Sequence, residues 1–380
     1  MKRNSVVDLL RFIACCFIMW FHTPLMRYGV NTPDFHFTGA FIFVEFFFIL
    51  MGNFTFKHFQ TRPKPTSIEE KAKRSLVYTW RKFSKYLPYT MLAVVLAYII
   101  KLTAPSLLFE TRTDVLLFFK NFLAEFFLLN ARSGGQYGVI WYLAAAVVVF
   151  PLFGIICQTK KKHLLYSALI PFCTIYYLIF RTSSGTDEGT ITRAFAGLCL
   201  GILVYALSER IRKYNYKKYV TAALSFVELL TFMIAIALLY TKNRDIIIYD
   251  YIYSFNIILC FFISSSLLLS QKTYQSQIDS KVFRFLGMIS FQMYLYHQLV
   301  HLIINNYLSH LPAVGKVAIL YVGTFMLSVA IYLIVEKIRR RLPPARVLLL
   351  EKEGALAPKR LISFGDLFRF AFVDYLAIFN

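Results

Sequence analysis

Apolar residues run through this chain in stretches of about twenty, separated by short polar connections, from the N-terminus to about residue 336. A stretch of that length crosses a bilayer as one α-helix. Ten such stretches lie near residues 5–23, 39–58, 86–102, 138–157, 163–180, 191–208, 219–240, 247–270, 285–307 and 316–336. The short segments of alternating hydrophobicity that build a membrane barrel are absent. The pattern therefore predicts an all-α fold, a polytopic membrane helical bundle of about ten helices. The first stretch has no small-residue cleavage site and another span follows at once, so it is expected to be retained.

Residues 114–130, DVLLFFKNFLAEFFLLN, form an eleventh candidate with Lys120 and Glu125 inside the apolar pattern. Charge decides how this segment is read. If it does not cross, the N-terminus and the connections up to residue 346 hold 27 lysines and arginines on the side of the N-terminus against eight on the other. If it crosses, the lysines at 160–162 and the basic run 209–218 move to the other side, against the positive-inside tendency. The segment is thus expected to be an interfacial or re-entrant helix facing out, with both termini cytoplasmic.

Composition agrees. A chain of 380 residues that is 58% hydrophobic, with mean hydropathy +0.57, cannot hide its apolar surface in water. The net charge of +22 sits in the connections rather than on a folded basic face, which argues against nucleic acid and for anionic membrane lipid. The six cysteines show no metal-ligand spacing, and no metal site is expected. Residues 1–337 read as the membrane domain. Residues 338–380, with a basic stop, two prolines and an aromatic stretch broken by Asp366, Arg369 and Asp374, read as a cytoplasmic basic and amphipathic tail.

Within DLLRFIACCFIMWFH (8–22), Arg11 and His22 are eleven residues apart. On a helix that spacing leaves them on one face, about 20° out of line and roughly 16 Å apart along the axis. Separately, Arg11 reads as snorkelling toward headgroups beside Asp8, and His22 as an interfacial histidine. Together, on one inward face, they read as a hydrated site. Glu45 lies inside the second span, where a carboxylate needs a partner or a function. Tyr294, His297 and His301 follow one another at single turns. Trp141 and Tyr142 are either an acceptor platform or part of an aromatic belt. Arg181 and Arg193 flank an outer loop, suited either to an anionic glycan or to pairing with Asp187 and Glu188. Gly197 and Gly201 read as helix packing, and the sequon at Asn53–Thr55 lies at the inner face.

The pattern Asp8-x-x-Arg11-x10-His22, preceded by Arg3, resembles the opening of acyltransferase family 3, integral-membrane acyltransferases of cell-envelope glycans. The resemblance continues in order through FVEFFFILMGNF (43–54), VIWYLAA (139–145), FLGMISFQMYLYH (285–297) and YLIVEK (332–337). Two motifs depart from it. Met51-Gly52-Asn53 stands where the family usually has Ser-Gly-Phe, and Lys82 and Lys85 stand where it usually has arginines. Lysine keeps the charge and loses the bidentate fork.

The resemblance implies an O-acyltransferase that moves an acyl group, acetyl above all, from cytoplasmic acyl-CoA to a hydroxyl of an extracytoplasmic or lipid-linked glycan. It makes Arg11 and His22 the pair on which the reaction depends. An alcohol is a weak nucleophile until a base takes its proton, and an imidazole titrates in the right range. His22 is thus the expected general base and Glu45 a catalytic candidate. Arg11, Lys82 and Lys85 are expected at the donor, and Trp141, Tyr294, His297, Arg181 and Arg193 at the acceptor. A flippase or transporter for a lipid-linked sugar, and a catalytically silent sensor, are the rival readings.

Overall fold

The computed structural model describes residues 4–22, 37, 39–104, 112–131, 137–180, 187–240 and 250–341. Among the described residues every regular element is a helix. In chain order these are α1 (Ser5–Phe21), α2 (Phe43–Gln60), α3 (Ile68–Phe83), α4 (Leu87–Thr103), α5 (Arg112–Phe126), α6 (Trp141–Ile156), α7 (Lys162–Ile175), α8 (Asp187–Arg212), α9 (Lys218–Leu239), α10 (Tyr251–Ser270), α11 (Tyr274–Gln277), α12 (Lys281–Tyr307) and α13 (Ala313–Arg341). Single 3-10 turns, Ala40–Ile42 and Gly138–Ile140, lead into α2 and α6. The chain divides into Met1–Val329 and Ala330–Asn380. The described part of the second unit is the end of α13; the rest of the expected tail, and Arg181, lie outside the described residues.

Each of the ten expected spans is occupied by a helix, yet seven helices are by themselves long and apolar enough to cross, or eight if the bent pair α3–α4 counts as one span. The difference is physical. α1 and α4 have 17 residues each, and α12, though 27 residues long, spends its middle on Gln292, Tyr294, Tyr296, His297 and His301. A helix that polar needs neighbours on its polar side. α5 is not among the candidate spans. It exposes Leu116, Leu117, Phe119 and Leu123 and buries Phe118 and Glu125, an amphipathic arrangement suited to an interface.

Three helix pairings set the frame of the bundle interior. α1 lies along α12, its start held by Asn4, whose side chain accepts from Val6 N (3.0 Å) and whose Nδ2 donates to the Leu268 carbonyl (3.3 Å). Ser5 Oγ donates to the Ile278 carbonyl at 2.7 Å. α2 lies on α8 through glycines: a Cβ on Gly52 would stand 2.1 Å from the Leu198 carbonyl oxygen, and one on Gly201 2.3 Å from that of Ile49. α3 lies on α6 near Pro151. Ser75 Oγ donates to the Pro151 carbonyl at 2.7 Å, and Gly154 leaves the room for it.

Candidate functional site

α1 is one unbroken helix capped by His22, so Arg11 and His22 share a face; α1 packs along α12, and His22 meets it at His297. Near the N-terminal end of α1 Asp8 is buried against Gly287 of α12, and its Oδ1 lies 3.5 Å from Arg11 Nη1. Arg11 keeps 29% of its side-chain surface open. At the C-terminal end of α1 the His22 ring folds back so that Nδ1 lies 2.9 Å from the Ile18 carbonyl. A carbonyl only accepts, so Nδ1 donates in this bond, and Nε2 is the ring nitrogen that the bond does not use. That is the atom a general base needs.

Opposite His22 stands His297, fully buried, with ring centroids 5.0 Å apart. One turn back along α12, Tyr294 touches the His297 ring, Tyr142 (5.8 Å) and Phe47 (6.4 Å). The Tyr294 hydroxyl donates to the Val139 carbonyl at 2.9 Å, and the Tyr137 hydroxyl to the Leu295 carbonyl at 2.5 Å. The turn ahead of Trp141 is thereby stapled to α12. Glu125 of α5 accepts the Tyr137 N–H with both oxygens, at 3.0 and 3.1 Å, and holds the same turn from the other side.

Lys82 lies toward the Arg11 end of α1. Its ammonium donates to Thr55 Oγ1 at 3.0 Å and stands 4.6 Å from the Phe150 ring centroid; among the described residues no carboxylate pairs with it. It lies within reach of the Arg11 charge, as does the Tyr142 hydroxyl. Lys85 is exposed nearby. In the connection after α2, burial, then Lys162 and Lys71, push the Lys64 ammonium below its usual value, with Cys157 opposing. Several cations are therefore gathered at this end, which suits polyanionic phosphate.

Glu45 and Arg193 meet each other. Arg193 Nε and Nη2 each lie 2.6 Å from a Glu45 oxygen, and Nη2 also donates to the Phe41 carbonyl at 3.1 Å. The guanidinium lies 5.2 Å from the Trp141 ring centroid. This buried fork holds the guanidinium against Trp141, and both Glu45 oxygens are engaged by Arg193. The signal missed in the sequence is Thr55, legible there only as the last residue of a sequon. A hydroxyl in the middle of an aromatic run was the available clue to an ammonium nearby.

These residues form a succession of neighbours: Lys82 and Tyr142 both lie within reach of the Arg11 charge, Tyr142 meets Tyr294, Tyr294 meets His297, and His297 meets His22. In comparison with known proteins, a family model described as an acyltransferase domain matches residues 4–333. No curated protein and no solved structure gives a significant match.

Proposed function

Because the chain belongs to acyltransferase family 3 and is an acyltransferase built on membrane helices, we propose that it transfers an acetyl group from cytoplasmic acetyl-CoA to a hydroxyl of an extracytoplasmic or lipid-linked glycan. The observation that carries this reading is that succession of neighbours, with cations at one end, imidazoles at the other and tyrosines between. Lys82 and Lys85 take the donor's phosphates at the inner face, and the thioester arm runs outward past Arg11. The roughly 16 Å from Arg11 to His22 is within the reach of an extended pantetheine arm.

In this mechanism His22 Nε2 removes the proton from the acceptor hydroxyl as its oxygen attacks the acyl carbon. Arg11 orients the donor and favours negative charge developing on the thioester. The C–S bond then breaks, and the thiolate leaves with the electron pair and takes the proton from the imidazolium. Trp141 and Tyr294 form the wall against which the sugar ring lies, and the Glu45–Arg193 pair keeps Trp141 in place. Both termini are cytoplasmic in this orientation, and 112–126 faces out.

The test measures base-labile ester on envelope polysaccharide from cells making the wild type, His22→Ala or no protein. The expected result is ester with the wild type alone, and at least a roughly 100-fold loss of transfer rate at equal membrane abundance of the variant. Equal ester with wild type and variant would remove His22 as base. Equal ester in all three, together with no release of thiol from acetyl-CoA by the purified wild type, would overturn the assigned donor and acceptor.

A further inference from the structure

The face that carries Arg11 and His22 is only one side of α1. Ile13, Cys16, Phe17 and Trp20 follow at i, i+3, i+4 and i+7, and they lie about 140–240° round the helix from Arg11. With Phe37, Tyr240 at the end of α9 and Tyr321 of α13 they line a cavity of about 410 Å³ that is open along one side. Sites for small molecules have volumes of roughly 300–1,000 Å³. Ile13, Phe17 and Phe37 bring no polar atom to the cavity, Cys16 brings a thiol, and Tyr321 spends its hydroxyl on the Cys16 carbonyl at 2.9 Å. Phe37 has a left-handed backbone with φ 64°, rare for so bulky a residue. Its ring sits between those of Phe17 and Tyr240, with centroids at 4.9 and 5.1 Å. Backbone held in that region recurs at ligand clamps.

The surroundings decide what fills this groove. α13 is long and apolar enough to cross a membrane, and Val322 and Met326, further round it from Tyr321, stand exposed, so this flank of the bundle borders hydrocarbon. Water in a cavity needs several polar partners, and an empty groove forfeits the dispersion contacts of its walls. A hydrocarbon chain restores those contacts. Five of the seven lining residues are aromatic, rigid flat faces against which the methyl branches of an isoprenyl chain pack. The groove runs about 10 Å along α1 from Ile13 to Trp20, and it ends about 3 Å short of His22 along the axis. A groove for bulk lipid needs no such register with the base. We propose that it seats the polyprenyl chain of a lipid-linked acceptor, which brings the glycan to His22 on its own anchor. The chain lies behind α1 and the phosphate stands at the C-terminal end of that helix. The sugars then have one helix width to cross to the imidazole, roughly 10–12 Å.

In naming the chain as the acceptor's, this inference rests on the acyl-transfer reading, so the test has an arm that needs no turnover. Cys16 in the groove wall is half-buried, and of the other cysteines all but Cys260 are buried. The full-length Cys260→Ser protein, in nanodiscs of phosphatidylcholine, is treated with a lipophilic maleimide in the presence of polyprenyl phosphate or of phosphatidylglycerol. A further Cys16→Ser change identifies the Cys16 label. Polyprenyl phosphate at ten times its dissociation constant is expected to slow labelling of Cys16 about tenfold, while phosphatidylglycerol at the same concentration leaves it unchanged. Ile13→Trp fills the groove. It should abolish the protection and lower ester on envelope polysaccharide about tenfold at equal membrane abundance, the effect of weaker acceptor binding. Equal protection by the two lipids would overturn the acceptor chain in favour of ordinary bilayer lipid. No protection by either would overturn the groove as a lipid site and leave it to residues 23–36 of the chain itself. If Ile13→Trp does not reach the membrane, protection in the Cys260→Ser protein still decides. Protection by polyprenyl phosphate in a protein that releases no thiol from acetyl-CoA would count against the acyl-transfer assignment and for the groove.

Discussion

Glu45 and Arg193 are 148 positions apart in the chain, and in the bundle they form a forked pair that is almost wholly buried. Removing one member leaves a charge in an apolar surround, at a cost of about 3–5 kcal/mol, whereas replacing both by apolar side chains of similar volume is often neutral. Arg193→Met is therefore expected to lower the melting temperature of the detergent-solubilised protein sharply. The double variant Glu45→Leu/Arg193→Met should recover most of that loss while raising KM for the acceptor, because Trp141 loses the cation packed against its ring. A melting temperature unchanged in the single variant would refute the pair's structural weight. In the sequence each charge is visible as a polar group at membrane depth that must have a partner. Which partner is not visible, since Glu45 has Arg193, Arg181 and several lysines to choose from and only one helix neighbour brings the right one.

At the level of helices, the site depends on how closely α1 approaches α12. A Cβ on Gly287 would stand 2.2 Å from Asp8 Cβ and 2.6 Å from Asp8 Cα, so the two helices meet where a side chain is missing. Gly287→Ala has to push α1 away, and Arg11 and His22 move with it. The expectation is a loss of both membrane abundance and ester. Gly323→Ala on α13 is the control, since its nearest heavy atom is 3.6 Å away and its abundance should match the wild type. Immunoblots of membranes and the ester assay on both variants check this; equal behaviour of the two would refute the close approach as a constraint. The Gly197-x3-Gly201 spacing already announces a packing face in the sequence. Gly287 carries no such repeat, and nothing local shows that its partner is an aspartate near the other end of the chain.

For the molecule as a whole, the uneven distribution of Lys and Arg implies an orientation that can be measured. Leu116→Cys, on the exposed face of α5, should react with a membrane-impermeant maleimide in intact cells, while Lys161→Cys, in the connection before α7, should react only after permeabilisation. The opposite pattern would invert the topology and put His22 on the inner side. The sequence by itself determined the helical membrane class, the place of the ten long apolar helices though not of Ile68–Phe83, the amphipathic character of 114–130 and the shared face of Arg11 and His22. Each follows from a segment's own partition between water and lipid or from the geometry of one helix, and both are local properties. The tertiary structure alone decided that His22 faces His297, that Lys82 rests on Thr55 and Phe150, that Glu125 holds the turn before Trp141, and that Glu45 is taken by Arg193. Those pairings join residues from different helices, and they are set by which surfaces fit when the helices close on one another, a choice that no single segment contains.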